Sequence, residues 1–353
     1  MIITGDFLFD FSAKTAKILL RTSRNFFLRN KPFFAHLHVT KRCNLRCKYC
    51  GVREKAIPKE LSKEGFIRII DILDRMGVVQ ISFTGGEPLL NPDIFDLIKY
   101  ANKRGFWTQI TSNGTMPQHM YKRLLDTKIN LISISLDSLK REVHNAQRGH
   151  FDTVMKNLKF LAKNKAKGQN INISTMVTEK NIKELPEIVS FAKSLGVNIF
   201  LSPVMYSHYS DDYGFRPRGD GYLDKEKVME TYSALKRQYF SSGMMTPPYY
   251  LRLSEKYLIS QKNKWNCKAG LVFFDIMPDG EFYICQDFSM EKNILDKDFL
   301  EWYGSKEFHE KRKRLAHKCE GCVFSCYYCT QNMFGPRVFE TALTFFKNFI
   351  TTL

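Results

Sequence analysis

The chain has 353 residues, and 54 Lys and Arg against 36 Asp and Glu leave a formal charge of +18. A hydrophobic share of 44% is enough for the core of one large domain with an appendage. No stretch reaches the roughly 18 uninterrupted apolar residues of a spanning helix, which excludes a helical membrane-spanning class, while the basic surplus favours an acidic partner: nucleic acid, an anionic membrane surface or a phosphorylated substrate.

The start, MIITGDFLFDF, has no basic region and no small-residue cleavage site, so no signal peptide is expected. From residue 11 to residue 53 there is no acidic residue, while Lys14, Lys17, Arg21, Arg24, Arg29 and Lys31 alternate with Ile18, Leu19, Leu20, Phe26, Phe27 and Leu28. Segment 1–32 therefore reads as a basic amphipathic helix of the kind that lies on anionic membranes.

Between 33 and 205 short β-rich runs alternate with amphipathic helical runs. The strands are 35–40 (AHLHVT), 78–84, 106–112, 129–137, 171–178 and 197–203. Lys63–Met76 is a helix with Phe66, Ile69, Ile70 and Leu73 at helical spacing; a second opens at Asn91-Pro92 and stops at Gly105, and Gly196 closes a third. Six βα units in series imply parallel strands with right-handed crossovers, in a doubly wound sheet or a barrel-like one. Residues 206–265 read as a long loop followed by two helices, near 224–240 and 249–262. Residues 266–335 form a cysteine-rich α+β extension that opens on a hairpin, LVFFDIM-PDG-EFYIC. In 336–353, Phe339, Ala342, Leu343, Phe346, Phe349, Ile350 and Leu353 recur at helical spacing, and this end too is expected at a membrane.

Nine cysteines, an odd number in tight clusters, argue against a disulfide framework and for metal or iron–sulfur binding in a reducing compartment. Cys43, Cys47 and Cys50 directly follow the first strand. Three thiolates in one loop hold three irons of a four-iron cluster and leave the fourth open, whereas an electron-transfer cluster wants four. Gly85-Gly86-Glu87-Pro88 ends the second strand, where two glycines allow a close backbone approach and Glu87 supplies charge. Ser112-Asn113 ends the third strand. Ser135 and Asp137, two apart on the fourth, share a face. Cys267 and Cys285 flank the hairpin, and Cys319, Cys322, Cys326 and Cys329 follow. A four-cysteine zinc site would be served by such spacing as well as a cluster. Cys322, Cys326 and Cys329 repeat the spacing of the first motif, but no barrel strand precedes them and no Gly-Gly-Glu follows.

Through Cys43-x3-Cys47-x2-Cys50 and Gly85-Gly86-Glu87-Pro88 the chain resembles the radical S-adenosylmethionine (SAM) superfamily. The resemblance implies a partial (βα)6 TIM-type barrel and a [4Fe–4S] cluster whose open iron binds the amino and carboxylate groups of SAM. It also implies cleavage of SAM to a 5′-deoxyadenosyl radical, which takes hydrogen from an unactivated C–H bond under anaerobic conditions. It places Tyr49 near the adenine and the Gly-Gly-Glu-Pro turn at the amino group. Ser135 and Asp137, with Ser112 and Asn113 as comparable candidates, fall at the ribose, and Arg148 at the carboxylate. The C-terminal cysteines resemble the SPASM or twitch extension, which carries one or two auxiliary clusters. Their last group departs from that pattern, and six cysteines cannot give four to each of two clusters.

The expected protein is cytoplasmic, peripheral on the inner face of the cell membrane, and reduced by a small ferredoxin- or flavodoxin-like protein. Its expected substrate is a membrane lipid or isoprenoid-like molecule. The alternative is a maturase of a ribosomally made peptide, against which stands the lack of room for a leader-recognition domain before residue 33. RNA modification ranks last because no RNA-binding module is evident, and no DNA partner is expected.

Overall fold

The computed structural model describes residues 13–28, 31–50, 59–205, 223–260, 263–319, 321–333, 337–341 and 343–344. The expected loop 206–222, the segment 345–353 and the side chains of Phe26, Phe27 and Leu28 lie outside the described residues. In chain order the first elements are α1 (Ala13–Leu28), β1 (Phe34–Thr40), α2 (Lys63–Met76), β2 (Gln80–Gly85), α3 (Ile94–Lys103), β3 (Trp107–Ser112), α4 (Gln118–Asp126) and β4 (Leu131–Ser135). Next come α5 (Arg141–Gln147), α6 (Phe151–Asn164), β5 (Asn170–Val177), α7 (Leu185–Ser194) and β6 (Asn198–Pro203). The chain then forms α8 (Lys225–Arg237), α9 (Pro248–Ser260), β7 (Phe273–Ile276), β8 (Glu281–Cys285), β9 (Phe288–Asn293), α10 (Phe299–Gly304), α11 (Lys306–Lys318) and α12 (Ser325–Asn332).

All six N-terminal strands pair in parallel, each with the next. The sheet order is β6-β5-β4-β3-β2-β1-β7-β8-β9, so β6 stays an edge and the barrel is partial, as the resemblance implied. Every residue of β1 is buried, as expected of a central parallel strand covered on both faces. Helix α2 follows its sequence pattern closely. Ser62 accepts a bond from the Gly65 amide, the expected apolar stripe is buried together with Met76, and Gly77 closes the helix at φ 80°. Two boundaries differ from the sequence reading. Helix α3 begins at Ile94 because Asn91 accepts the Asp93 amide at 2.9 Å and holds a turn there. The fourth strand ends at Ser135, leaving Asp137 beyond it.

The expected hairpin is present as β7 and β8, extended by a third antiparallel strand, β9, that the sequence did not announce. This extension shares the barrel's sheet. β7 pairs in parallel with β1, placing Phe273 opposite Phe34 and Asp275 opposite His36. Helix α9 packs on β6, and α12 packs on both α9 and β7.

Helix α1 is basic and helical as expected, but its charges are turned onto the protein itself. Lys14 donates to Asn102 and Asn130 at 2.6 and 2.8 Å, Lys17 to Asp74 and to the Arg104 carbonyl, both at 2.9 Å. Arg21 donates to the Val78 carbonyl at 2.9 Å, pairs with Asp74 and stacks on Phe106. These partners sit on loops or helix ends that lead into strands, so α1 closes the end of the barrel opposite the strand C-termini. The membrane reading assigned these basic residues to lipid headgroups; Lys14, Lys17 and Arg21 meet the protein instead, while Arg24 and Leu20 are exposed. Among the described residues no helix is long and apolar enough to cross a membrane.

The C-terminal helical turns dock through polar groups. Thr341 and Thr344 are buried against Tyr249 and Tyr239, and Glu340 pairs with Arg252, while Phe339 is 83% exposed and Leu343 also faces outward.

Arg21→Ala removes a largely buried charged contact and leaves Asp74 with Lys17 and Arg104. We expect a loss of about 2 kcal/mol, read as a lower thermal midpoint, with no change in sedimentation with anionic vesicles. A variant as stable as the parent that loses vesicle binding would restore the membrane role of α1.

Candidate functional site

The loop 41–50 leaves the C-terminal end of β1 and carries the first three cysteines. It is tied to its neighbours mainly through backbone. Gly86 and Glu87 donate their amides to the carbonyls of Thr40 and Arg42, both at 2.8 Å, and Lys48 donates to the Gln147 carbonyl at 3.0 Å. A Cβ on Gly85 would overlap the Thr40 carbonyl, and one on Gly86 the Arg42 carbonyl. Gly85 also has φ 129°, a conformation L side chains rarely adopt. The two glycines thus serve a close approach, as the sequence suggests, and what approaches them is the start of the cysteine loop.

Glu87 is fully buried and turned inward. Its two carboxylate oxygens accept the amides of Leu89 at 3.2 Å and Asn113 at 2.7 Å, so one side chain joins the ends of β2 and β3. Burial raises its pKa to about 7. Pro88 follows as the first residue of a short buried 3-10 turn. Asn113 reaches from the end of β3 to Asn44 at 2.8 Å and to the Cys43 sulfur at 4.0 Å. Ser112 shares a hydrogen bond with Tyr121 at 2.9 Å and also lowers the Glu87 pKa.

On the other side, Asp137 is fully buried and links three elements. It accepts the Tyr49 hydroxyl, Arg148 Nε at 2.6 Å and the Met176 amide at 3.0 Å. Arg148 lies over the Tyr49 ring, 5.2 Å from its centroid, and points Nη1 at the Cys47 sulfur at 3.9 Å. Asp137 and Arg148, expected to meet the ribose and the carboxylate separately, are therefore paired with each other. Ser135 is buried one register position from β5, opposite Ser174.

The residues fit an iron–sulfur group better than a single metal ion. A tetrahedral zinc with roughly 2.3 Å bonds needs its sulfurs about 3.8 Å apart. Among the described residues, no three ligand atoms that include a cysteine lie within 4.8 Å of one another. N–H donors face the sulfurs: Leu45 and Asn113 toward Cys43, Arg148 toward Cys47. Burial raises the Cys43 and Cys47 pKa values, so these thiolates want a cation. Among the described residues, the buried Gln147 side-chain nitrogen beside this loop has no partner.

Four of the C-terminal cysteines lie near one another. Cys267 lies within electrostatic reach of Cys319, Cys285 of Cys267 and Cys322, and Cys322 of Cys267 and Cys319. Burial pushes Cys267 up to about 12 and raises Cys285 and Cys322 as well. Cys326 and Cys329 lie one turn apart on α12. The sequence reading missed what stands beside them. His36 donates to Asp275 at 3.1 Å, His38 donates to the same oxygen at 2.9 Å, and Tyr327 donates to the other. Burial disfavours charge on His36, but the nearby Cys326 and Asp275 prevail and raise its pKa to about 10. The available signal was His-x-His on one strand, which puts both rings on one face.

Residues 37–192 match the model of the radical SAM superfamily. The chain is 28% identical to mycofactocin maturase MftC of Mycobacterium tuberculosis, over 82% of this chain and 75% of that protein. It is also 28% identical to the antilisterial bacteriocin subtilosin biosynthesis protein AlbA of Bacillus subtilis, over 84% of this chain and 66% of that one. The fold resembles that of Streptococcus suis SuiB solved with its precursor peptide SuiA, with a TM-score of 0.63 at 18% identity, over 83% of this chain and 70% of that one.

Gly86→Ala should push the cysteine loop off the end of β2. We expect a folded protein whose iron content after reconstitution falls well below that of the parent. Full iron incorporation in this variant would mean that the loop does not depend on the contact.

Proposed function

We propose that this chain, whose residues 37–192 match the radical SAM superfamily model, is a radical SAM maturase acting on a peptide or protein. The supporting observation is its similarity to MftC and AlbA over more than four-fifths of its length. A membrane lipid is the weaker reading, because three of the basic residues that suggested it, Lys14, Lys17 and Arg21, bond to the barrel.

Cys43, Cys47 and Cys50 would hold the [4Fe–4S] cluster of the radical SAM site. When bound, that cluster and SAM supply a 5′-deoxyadenosyl radical able to abstract hydrogen from an unactivated C–H bond. The chain's own part is placement. Asn113 and Arg148 aim N–H groups at the cysteine sulfurs, a donor shell that stabilises thiolate charge. Asp137 fixes both Tyr49 and Arg148, and Glu87 fixes the strand ends beneath them. Tyr49 beside adenine, Gly85, Gly86 and Pro88 around the SAM amino group, and Ser135 and Ser112 toward the ribose remain part of this proposal. Cys267, Cys285, Cys319 and Cys322 would hold one auxiliary cluster, and a small ferredoxin- or flavodoxin-like protein would deliver the electron.

Reconstituted anaerobically and reduced with SAM, the protein should form 5′-deoxyadenosine, and the Cys43→Ala/Cys47→Ala/Cys50→Ala variant should form none. Cys267→Ser should lose about four irons per chain while the triple variant keeps them. Co-expression with a short peptide encoded beside its gene should change that peptide's mass. An unchanged peptide together with an altered membrane lipid would reverse the substrate assignment.

A further inference from the structure

His36 and His38 stand two apart on β1, so both rings leave the same face of the strand. β7 runs beside β1 in parallel and pairs Asp275 with His36. All three side chains are buried, Asp275 completely. His36 Nδ1 lies 3.1 Å and His38 Nε2 2.9 Å from one and the same oxygen, Asp275 Oδ1. One ligand atom from each of the three residues lies within 4.8 Å of the other two, and among the described residues no other group of His, Cys, Asp or Glu side chains converges in this way. Asp275 keeps its second oxygen for the Tyr327 hydroxyl, and Tyr327 is itself stacked on Phe273 with ring centroids 4.4 Å apart.

We propose that His36, His38 and Asp275 bind a divalent transition-metal ion, in a two-histidine, one-carboxylate site between the barrel and the cysteine-rich extension. Imidazole and carboxylate are donors that such ions accept together. Bonds of about 2.1 Å at right angles put neighbouring ligands about 3 Å apart. That is the separation of each imidazole nitrogen from Asp275 Oδ1. Tyr327 holds the carboxylate oxygen that does not bind, the part that an outer hydrogen-bond partner plays for a metal ligand. The ion competes with the ring protons that bond Asp275, and its binding releases them. Next to the triad, Ser82 of β2 lies opposite His36 and accepts the Gln109 side chain at 2.8 Å. Hydroxyl and amide groups at this face suit the water that completes the coordination of an ion. The ion ties β1, which leads into the first cysteine loop, to β7 of the extension. No cysteine belongs to the site, and it stands whether the substrate is a peptide or a lipid.

The test uses the reconstituted full chain, whose cluster thiolates are occupied by iron, dialysed against zinc ions alone. Metal analysis should find about one zinc per chain beyond the iron. Zinc X-ray absorption should show nitrogen and oxygen neighbours at about 2.0–2.1 Å and no sulfur at about 2.3 Å. His36→Gln and His38→Gln should each bind zinc at least about a hundredfold more weakly and keep the parent's iron. Tyr327→Phe, which leaves all three ligands in place, should weaken zinc about tenfold. Zinc should raise the thermal midpoint of the parent and leave that of His38→Gln where it is. No zinc beyond the iron in the parent, sulfur among the zinc neighbours, or undiminished zinc in both histidine variants would overturn the proposal. If a histidine variant fails to fold, the zinc content and absorption spectrum of the parent still decide.

Discussion

Two backbone carbonyls, those of Thr40 and Arg42, occupy the space a side chain at Gly85 or Gly86 would need. This contact seats the cysteine loop on the end of β2, and the neighbouring site residues are arranged around it. A β1–β2 register that pairs Thr40 with Gly85 delivers Cys43 to the barrel's C-terminal end. Glu87 extends the same junction to β3 through the Asn113 amide, and Asn113 returns to Asn44 and Cys43. The site is thus closed by backbone bonds and one buried carboxylate before any cofactor binds. A carboxylate so placed is costly to bury and is held by the two amides it accepts.

The charge surplus has a related explanation. A formal charge of +18 suggested an acidic partner for the molecule as a whole. The basic helix at its start instead spends Lys14, Lys17 and Arg21 on carbonyls, amide oxygens and Asp74 at the closed end of the barrel. Buried or half-buried contacts of this kind are screened little by salt, unlike charges that face a membrane. The surplus that remains is spread over exposed helices such as α11, where Lys313 and Arg314 face solvent.

β1 carries the structure's other economy. Leu37 and Val39 pack into the apolar core, while His36 and His38 on the alternate face reach Asp275 of β7. Because β7 joins β1 in parallel, the histidines meet both a carboxylate and the cysteine helix α12 packed on β7. One strand therefore leads into the first cysteine loop and borders the last cysteines.

The sequence by itself determined the parallel αβ order, the amphipathic face of α2, the cysteine loop and the glycine turn. Each of these depends on residues close in the chain, where strand and helix periods and fixed spacings decide what shares a face. The C-terminal hairpin was legible for the same reason, as two β runs about a Pro-Asp-Gly turn. Tertiary structure alone decided which basic residues of α1 turn onto the barrel, since nothing local in its pattern says that Lys14 and Lys17 meet Asn102, Asn130 and Asp74. It alone brought Cys267 near Cys319, neighbours through folding rather than through spacing. It alone joined His36, Asp275 and Cys326, residues far apart in the chain that meet because β7 pairs with β1 and α12 packs against it. Sequence separation hides such contacts, since nothing local in any of the three segments depends on the other two.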